Sequence, residues 1–206
     1  MTLPDNTHDI PREVRTRRRK EDIAAKAAEI FARDGYAAVG MRDIADAVGI
    51  KGASLYHHFP SKEDILFAVC LTVTQEPVEQ TLPLLDAPGT PTERLAALVR
   101  AHLVHLNGRR LEYIVGLHEL ASLTPEHRAV IEDYRRQYQR RVRDVIAAGM
   151  RTAEFTVRDA RLASFALADM LNGISSWFHD DGAMSIDDVA DEYVDLAVHR
   201  LLGGQR

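Results

Sequence analysis

Tyr56, His57 and His58 stand side by side in the stretch GIKGASLYHHFPSKEDIL, residues 49–66, between a glycine-led run of small residues and a Pro-Ser-Lys turn. An aromatic hydroxyl beside two imidazoles has three chemistries open to it: metal ligation, acid–base catalysis, or hydrogen bonding to phosphate. Metal ligation on a helix wants histidines four apart or carboxylates at ligand spacing, whereas neighbouring helical side chains point about 100° apart. No metal site is therefore expected here. A second histidine group, His102, His105 and His118 with Glu119, admits a helical metal-dependent enzyme as an alternative. No HExxH, nucleophile elbow or glycine-rich phosphate loop accompanies it, so neither catalytic residues nor a cofactor is expected. Phosphate contact is left as the reading of the opening stretch.

The elements that must position these residues read as helices throughout. In EDIAAKAAEIFARDG, Ile23, Ala27, Ile30 and Phe31 recur at helical spacing and Gly35 supplies a stop. Met41, Ile44, Ala45 and Val48 make a second short apolar face ending at Gly49, and a third segment over about 52–58 carries Leu55 and Phe59 inward. Further on, Ser61 with Asp64, Thr90 with Glu93 and Pro91, Thr124-Pro125, Thr156 with Asp159, and Ser185 with Asp188 have the spacing of helix N-caps. Pro77 and Pro83 end or bend the fourth helix, and LDAPGTP, 85–91, is a loop. The fold class is all-α, with about nine helices. The expected organisation is an N-terminal arm over 1–14, a small three-helix domain over 15–60 and a larger helical domain over 61–206.

Composition sets the outer limits. Hydrophobic residues at 46% and charged residues at 28% fit a globular chain and exclude general disorder. The single cysteine, Cys70, sits in the apolar run ILFAVCLTV and reads as a buried bystander. That run is far short of the roughly 20 residues that span a bilayer, and MTLPDNTHDIPREV has no signal-peptide core. A cytoplasmic protein without membrane contact is expected. The net charge of −5 is uneven: residues 1–62 hold 11 Lys/Arg against 9 Asp/Glu, residues 63–206 hold 15 against 22. A basic front and an acidic rear suit a protein that meets a polyanion at one end.

Two short helices joined through VGIKG form a helix-turn-helix, whose second helix enters the DNA major groove by its N-terminal residues. These are Lys51, Gly52, Ala53 and Ser54. Lys51 and Ser54 can bond base edges or phosphate, Gly52 allows close backbone approach, and Ala53 can meet a thymine methyl. Tyr56, His57 and Lys62 would bond phosphates at the groove rim. The run RTRRRK, with Arg17, Arg18 and Arg19, is expected just before the first helix, following the DNA backbone or reaching a minor groove.

Residues 16–66 resemble the DNA-binding domain of the TetR family of bacterial regulators. AAEIFARDGYAAVGMRDIADAVGIKGASLYHHFPSKEDIL follows the family pattern without a gap. The resemblance implies DNA contacts from Arg42, Lys51, Ser54, Tyr56, His57 and Lys62. One departure is Val39-Gly40, where the family usually has Ser or Thr capping the second helix; a glycine there offers no hydroxyl to a phosphate. The family also implies a C-terminal ligand cavity and a homodimer built on the last two helices, acting on double-stranded operator DNA. The GIxxxSLYHHFxSKE form is similar to the branch controlling lipid or sterol catabolism, whose members are released by acyl-CoA thioesters.

The rear helices agree with that plan. Helix eight has one apolar stripe through Ala163, Ala166, Leu167, Met170, Ile174 and Trp177 and another through Leu162, Phe165 and Gly173. With Ile186, Tyr193 and Ala197 of helix nine, the second stripe is the expected dimer interface. His102, Tyr113, His118, Met150, Phe165 and Trp177 are candidates for lining a cavity for a small hydrophobic effector. Arg135, Arg136, Arg140, Arg141 and Arg143 read as a solvated face, or as a cradle for an anionic head group. A DNA-coating protein without effector is the competing reading; it makes no use of the acidic, well-capped rear domain.

Overall fold

The computed structural model describes residues 12–204, which hold nine α-helices and no strand. They are α1 (Arg12–Asp34), α2 (Met41–Val48), α3 (Gly52–His58), α4 (Lys62–Glu76), α5 (Pro91–Gly108), α6 (Arg110–His118), α7 (Pro125–Arg151), α8 (Ala160–Trp177) and α9 (Ile186–Val194). Most of the expected start signals cap the helices they were read for. Ser61 Oγ accepts the Asp64 N–H, Thr90 and Glu93 close a reciprocal capping box ahead of Pro91, Thr124 caps α7, and Ser185 with Asp188 repeats the box at α9.

Two expectations need correction. Asp159, not Thr156, caps α8, its carboxylate accepting the N–H groups of Arg161 and Leu162. Thr156 instead gives its backbone N–H to Leu202, tying this extended link to the end of the chain. The basic run is no arm ahead of the first helix: α1 already includes Arg12, so Arg17, Arg18 and Arg19 stand on helical turns. Of the expected arm, residues 1–11 lie outside the described residues. At the fourth helix, α4 stops at Glu76 because Pro77 has no N–H to continue the ladder; the chain passes through a wide π-type turn over Pro77–Thr81 and a tight one over Leu82–Asp86.

The front core, built on Ile23, Phe31, Ile44, Leu55, Ile65 and Leu66, runs on past residue 60. Val115 of α6, Leu123 ahead of α7 and Ile131 of α7 close over it, and with Val73 in the rear core α4 belongs to the packing of both halves. The rear core gathers Leu95, Leu103, Leu106, Ile146, Leu167 and Ile174 with Val198 and Leu202 from beyond α9. Cys70 is buried in the front core, and burial pushes its thiol up to about 12, which makes it inert as a nucleophile.

Candidate DNA interface and effector cavity

Gly40 starts α2 from an extended conformation, and its N–H donates to Asp43 Oδ2 at 2.8 Å. With no side chain, Gly40 leaves the N-terminal N–H groups of α2 without a hydroxyl acceptor. Gly40→Ser should stabilise the protein by a few tenths of a kcal/mol, read as a small rise in Tm, because the backbone already suits a cap. Gly49 closes α2 in the left-handed region (φ 71°), where a side chain would be strained, and Ile50 gives its N–H to Ala45. Lys51 is the N-cap of α3, its carbonyl accepting from Ser54 and Leu55.

This turn chemistry sorts the recognition helix into two faces. Leu55 and Phe59 are buried, while Lys51, Gly52, Ala53, Ser54, Tyr56 and His57 are all exposed. His58 is half-buried, its ring edge-on to His57 at 5.7 Å; burial, then the charges of His57, Arg19 and Lys20, holds its pKa below the usual imidazole range. Arg42 extends into solvent from α2, loosely paired with Asp46 at 3.9 Å. Arg17 and Arg18 are exposed, with Arg17 bonded to Glu21, and Arg19 is half-buried.

Lys62 departs from its expected role. Its ammonium donates to the carbonyls of Tyr36 (2.8 Å) and Val39 (2.7 Å) and sits 4.3 Å from the centre of the Tyr36 ring. The short turn between α1 and α2 leaves carbonyls without helical partners, and Lys62 takes them up. It clips α4 to that turn and is not presented to a phosphate.

Behind the front core, α4, α5, α6, α7 and α8 enclose a cavity of about 330 Å³. Of the residues expected to line it, His102, Tyr113 and Phe165 do. His118 does not: it is exposed at the end of α6. Met150 packs against the rear core more than two turns of α7 beyond the lining residues. Trp177 lies on the outer face, 51% exposed, its ring tilted against Tyr193. The cavity wall also takes Arg135, one of the arginines read as a solvated face or an anion cradle, and Tyr134, Tyr138 and Gln139 from α7 and Asn172 from α8, which sequence inspection missed. Tyr134 and Tyr138 are four apart, a signal masked by the arginines around them.

His102 is buried, with Nδ1 2.9 Å from Tyr138 Oη and Nε2 without a hydrogen-bond partner. Burial brings its pKa down to about 4, and the neighbouring His105 adds to the effect, while the nearby Asn172 side chain opposes it; the ring is neutral near pH 7. Tyr113 passes from the cavity wall to a polar clamp. Its hydroxyl is 3.1 Å from His105 Nδ1, His105 Nε2 is 2.8 Å from Glu76, and Glu76 accepts both Nε and Nη2 of Arg109. Glu76 is the last residue of α4. At the other end of α4, Glu63 accepts the Thr124 N–H and pairs with His127, which stacks on Phe67.

On the outside, Leu162, Phe165, Gly173 and Trp177 of α8 are exposed in one stripe, with Leu196 and Leu201 exposed beyond α9. Ile186 and Tyr193 are half-buried. Ala197, expected on the same surface, is fully buried in the rear core, on the face that Val194 and Ala190 bury one and two turns earlier.

Residues 23–69 match the family model for bacterial regulatory proteins of the tetR family, and residues 88–201 match the tetracyclin repressor-like C-terminal domain. The chain belongs to the TetR family. It is a DNA-binding transcriptional regulator, from a family of regulators and not of enzymes. Among TetR-family relatives, it is 28% identical over 188 residues to the HTH-type transcriptional repressor KstR2 of Mycobacterium tuberculosis, covering 90% of this chain and 92% of that one. The fold superposes on the regulator PfmR of Thermus thermophilus with a TM-score of 0.80 at 32% identity, over 89% of this chain and 99% of that one. AibR, solved in complex with isovaleryl coenzyme A and operator DNA, gives a TM-score of 0.78 at 30% identity, covering 87% of this chain and 98% of AibR. No helix among the described residues is long and apolar enough to cross a membrane.

Proposed function

We propose that this chain acts as a homodimeric repressor whose grip on operator DNA is relieved by an acyl-CoA thioester. The observation that carries the reading is the position of the cavity: Val73, Thr74 and Pro77, at the end of α4 and just past it, form part of its wall, and α4 begins three residues after the recognition helix. A ligand that prefers one placement of α4 over another thereby prefers one placement of α3. Arg42, Lys51, Gly52, Ala53, Ser54, Tyr56 and His57 are the DNA-contacting set, all of them but Arg42 on or capping α3. The α8 stripe with Leu196 and Leu201 supplies a self-complementary face for a two-fold dimer, which suits operator half-sites about one helical turn (~34 Å) apart.

Two observations support a thioester with a charged head. The cavity wall includes Phe165, Arg135 and Gln139, and the same three residues border an outer groove with Arg140, Arg143 and Arg161. An apolar chain inside and phosphates outside would use both compartments. AibR, of the same fold, carries isovaleryl coenzyme A together with operator DNA.

Fluorescence anisotropy on DNA from upstream of the chain's own gene tests this reading, with random DNA as competitor. Specific binding that a thioester collapses is the expected result. Specific binding that no thioester disturbs would remove the effector class. Binding with a steep salt dependence and no sequence preference would favour the effector-free alternative.

A further inference from the structure

Three buried side-chain nitrogens lack a hydrogen-bond partner among the described residues: Arg94 Nε, His102 Nε2 and Arg110 Nε. Only His102 belongs to the cavity lining, and its Nε2 is itself covered, so a ligand atom reaches it by displacing the Asn172 side chain beside the ring. A buried polar atom without a partner is costly, and one on a cavity wall is a place where a ligand atom can meet that need. What kind of atom depends on which ring nitrogen holds the proton. Tyr138 Oη has His102 Nδ1 as its partner. If the phenol donates to Nδ1, the proton sits on Nε2 and a single donor is left unsatisfied. If Nδ1–H donates to the phenol oxygen, both the phenol proton and the Nε2 lone pair are left without partners. The first arrangement strands fewer groups and is favoured.

We propose that His102 selects the effector by donating its Nε2–H to a neutral carbonyl oxygen carried into the cavity. The proposal rests on the effector reading above and adds the group that is recognised. The ring is neutral near pH 7, so it presents one directional donor and no charge. The one guanidinium on the wall, that of Arg135, donates one N–H to the Gly116 carbonyl at 2.9 Å and keeps its charge for the anionic head group argued above. At His102 itself a neutral donor suits a thioester or ketone carbonyl, which loses less on leaving water than a carboxylate does and gains the Nε2–H. The Asn172 side chain, whose hydrogen-bonding pull on the ring opposes the burial shift, would turn from His102 to hold the carbonyl's other side.

The test pairs two readouts on the full-length protein. First, ¹⁵N NMR of the imidazoles at neutral pH should find His102 as the Nε2–H tautomer; the Nδ1–H tautomer would overturn the proposal, whatever the effector is. Second, a series of acyl-CoA thioesters, isovaleryl-CoA among them, is compared with S-alkyl-CoA thioethers of matched chain, which lack the carbonyl. The wild-type protein should bind the thioethers about ten- to a hundredfold more weakly, the range of one unsatisfied buried donor. His102→Phe should erase that difference, and His102→Gln, which keeps an N–H donor, should restore part of it. Equal binding of both series by the wild type sinks the carbonyl donor while leaving the acyl-CoA reading intact. Binding of neither series overturns the acyl-CoA reading, and with it the thioester specificity argued for His102, even if the Nε2–H tautomer is found. Thermal melting of each variant separates loss of discrimination from loss of fold.

Discussion

Replacing Ala53 by glutamate should weaken operator binding by at least about a hundredfold without lowering the stability of the protein. Ala53 is the second residue of α3 and is exposed, so the longer side chain displaces nothing from the core. A glutamate there costs little in helix propensity, and its charge near the helix N-terminus is favourable by a few tenths of a kcal/mol. In the bound state the same carboxylate would be pressed against base edges and phosphates. Bringing like charges together at an interface costs several kcal/mol, and about 3 kcal/mol corresponds to somewhat more than a hundredfold in affinity. Anisotropy with operator DNA reads the affinity, and a thermal melt reads the fold. An unchanged affinity would take the start of α3 off the DNA altogether. A lowered Tm would mean that position 53 is packed in a way its exposure denies.

The front of the chain was legible because its chemistry is local. Gly49 must turn, Leu55 must point in, and the residues between them must then point out; spacing alone carries that much. The caps at Ser61, Thr90 and Ser185 were readable for the same reason, since a cap and its acid lie three residues apart, and Thr124 by the proline that follows it. Lys62 was misread because its partners, the Tyr36 and Val39 carbonyls, lie 26 and 23 residues away and exist only once the turn between α1 and α2 has formed. The cavity was half legible. His102 and Tyr113 stood out as polar groups among apolar ones, but Tyr138 is surrounded in sequence by arginines and its inward direction depends on how α7 packs on α8. Trp177 and Ala197 changed sides because helical periodicity gives the faces of a helix without saying which one meets the core.

Glu76 is where the cavity and the DNA-binding half meet, and Glu76→Ala is expected to affect both stability and signalling. The carboxylate accepts two bonds from Arg109 and one from His105, with side-chain exposures of only 25%, 32% and 12% for the three. Breaking a fully buried pair costs about 3–5 kcal/mol; partial exposure brings the expectation here to roughly 2–3 kcal/mol. For a chain of this size that corresponds to a fall in Tm of roughly 5–10 °C. The second effect follows from the order of contacts. Tyr113 is on the cavity wall, its hydroxyl is joined to His105, and His105 is joined to the last residue of α4. A ligand that displaces Tyr113 therefore pulls on the end of the helix whose other end follows α3. Without the carboxylate, the effector should still enter the cavity but should need a markedly higher concentration to release operator DNA. Titrating effector against the preformed complex, alongside direct effector binding by calorimetry, separates the two steps. If Glu76→Ala lowers Tm yet releases DNA at the wild-type effector concentration, the clamp is only structural. Coupling would then have to pass through Val73, Thr74 and Pro77, the residues at the end of α4 that touch the cavity directly.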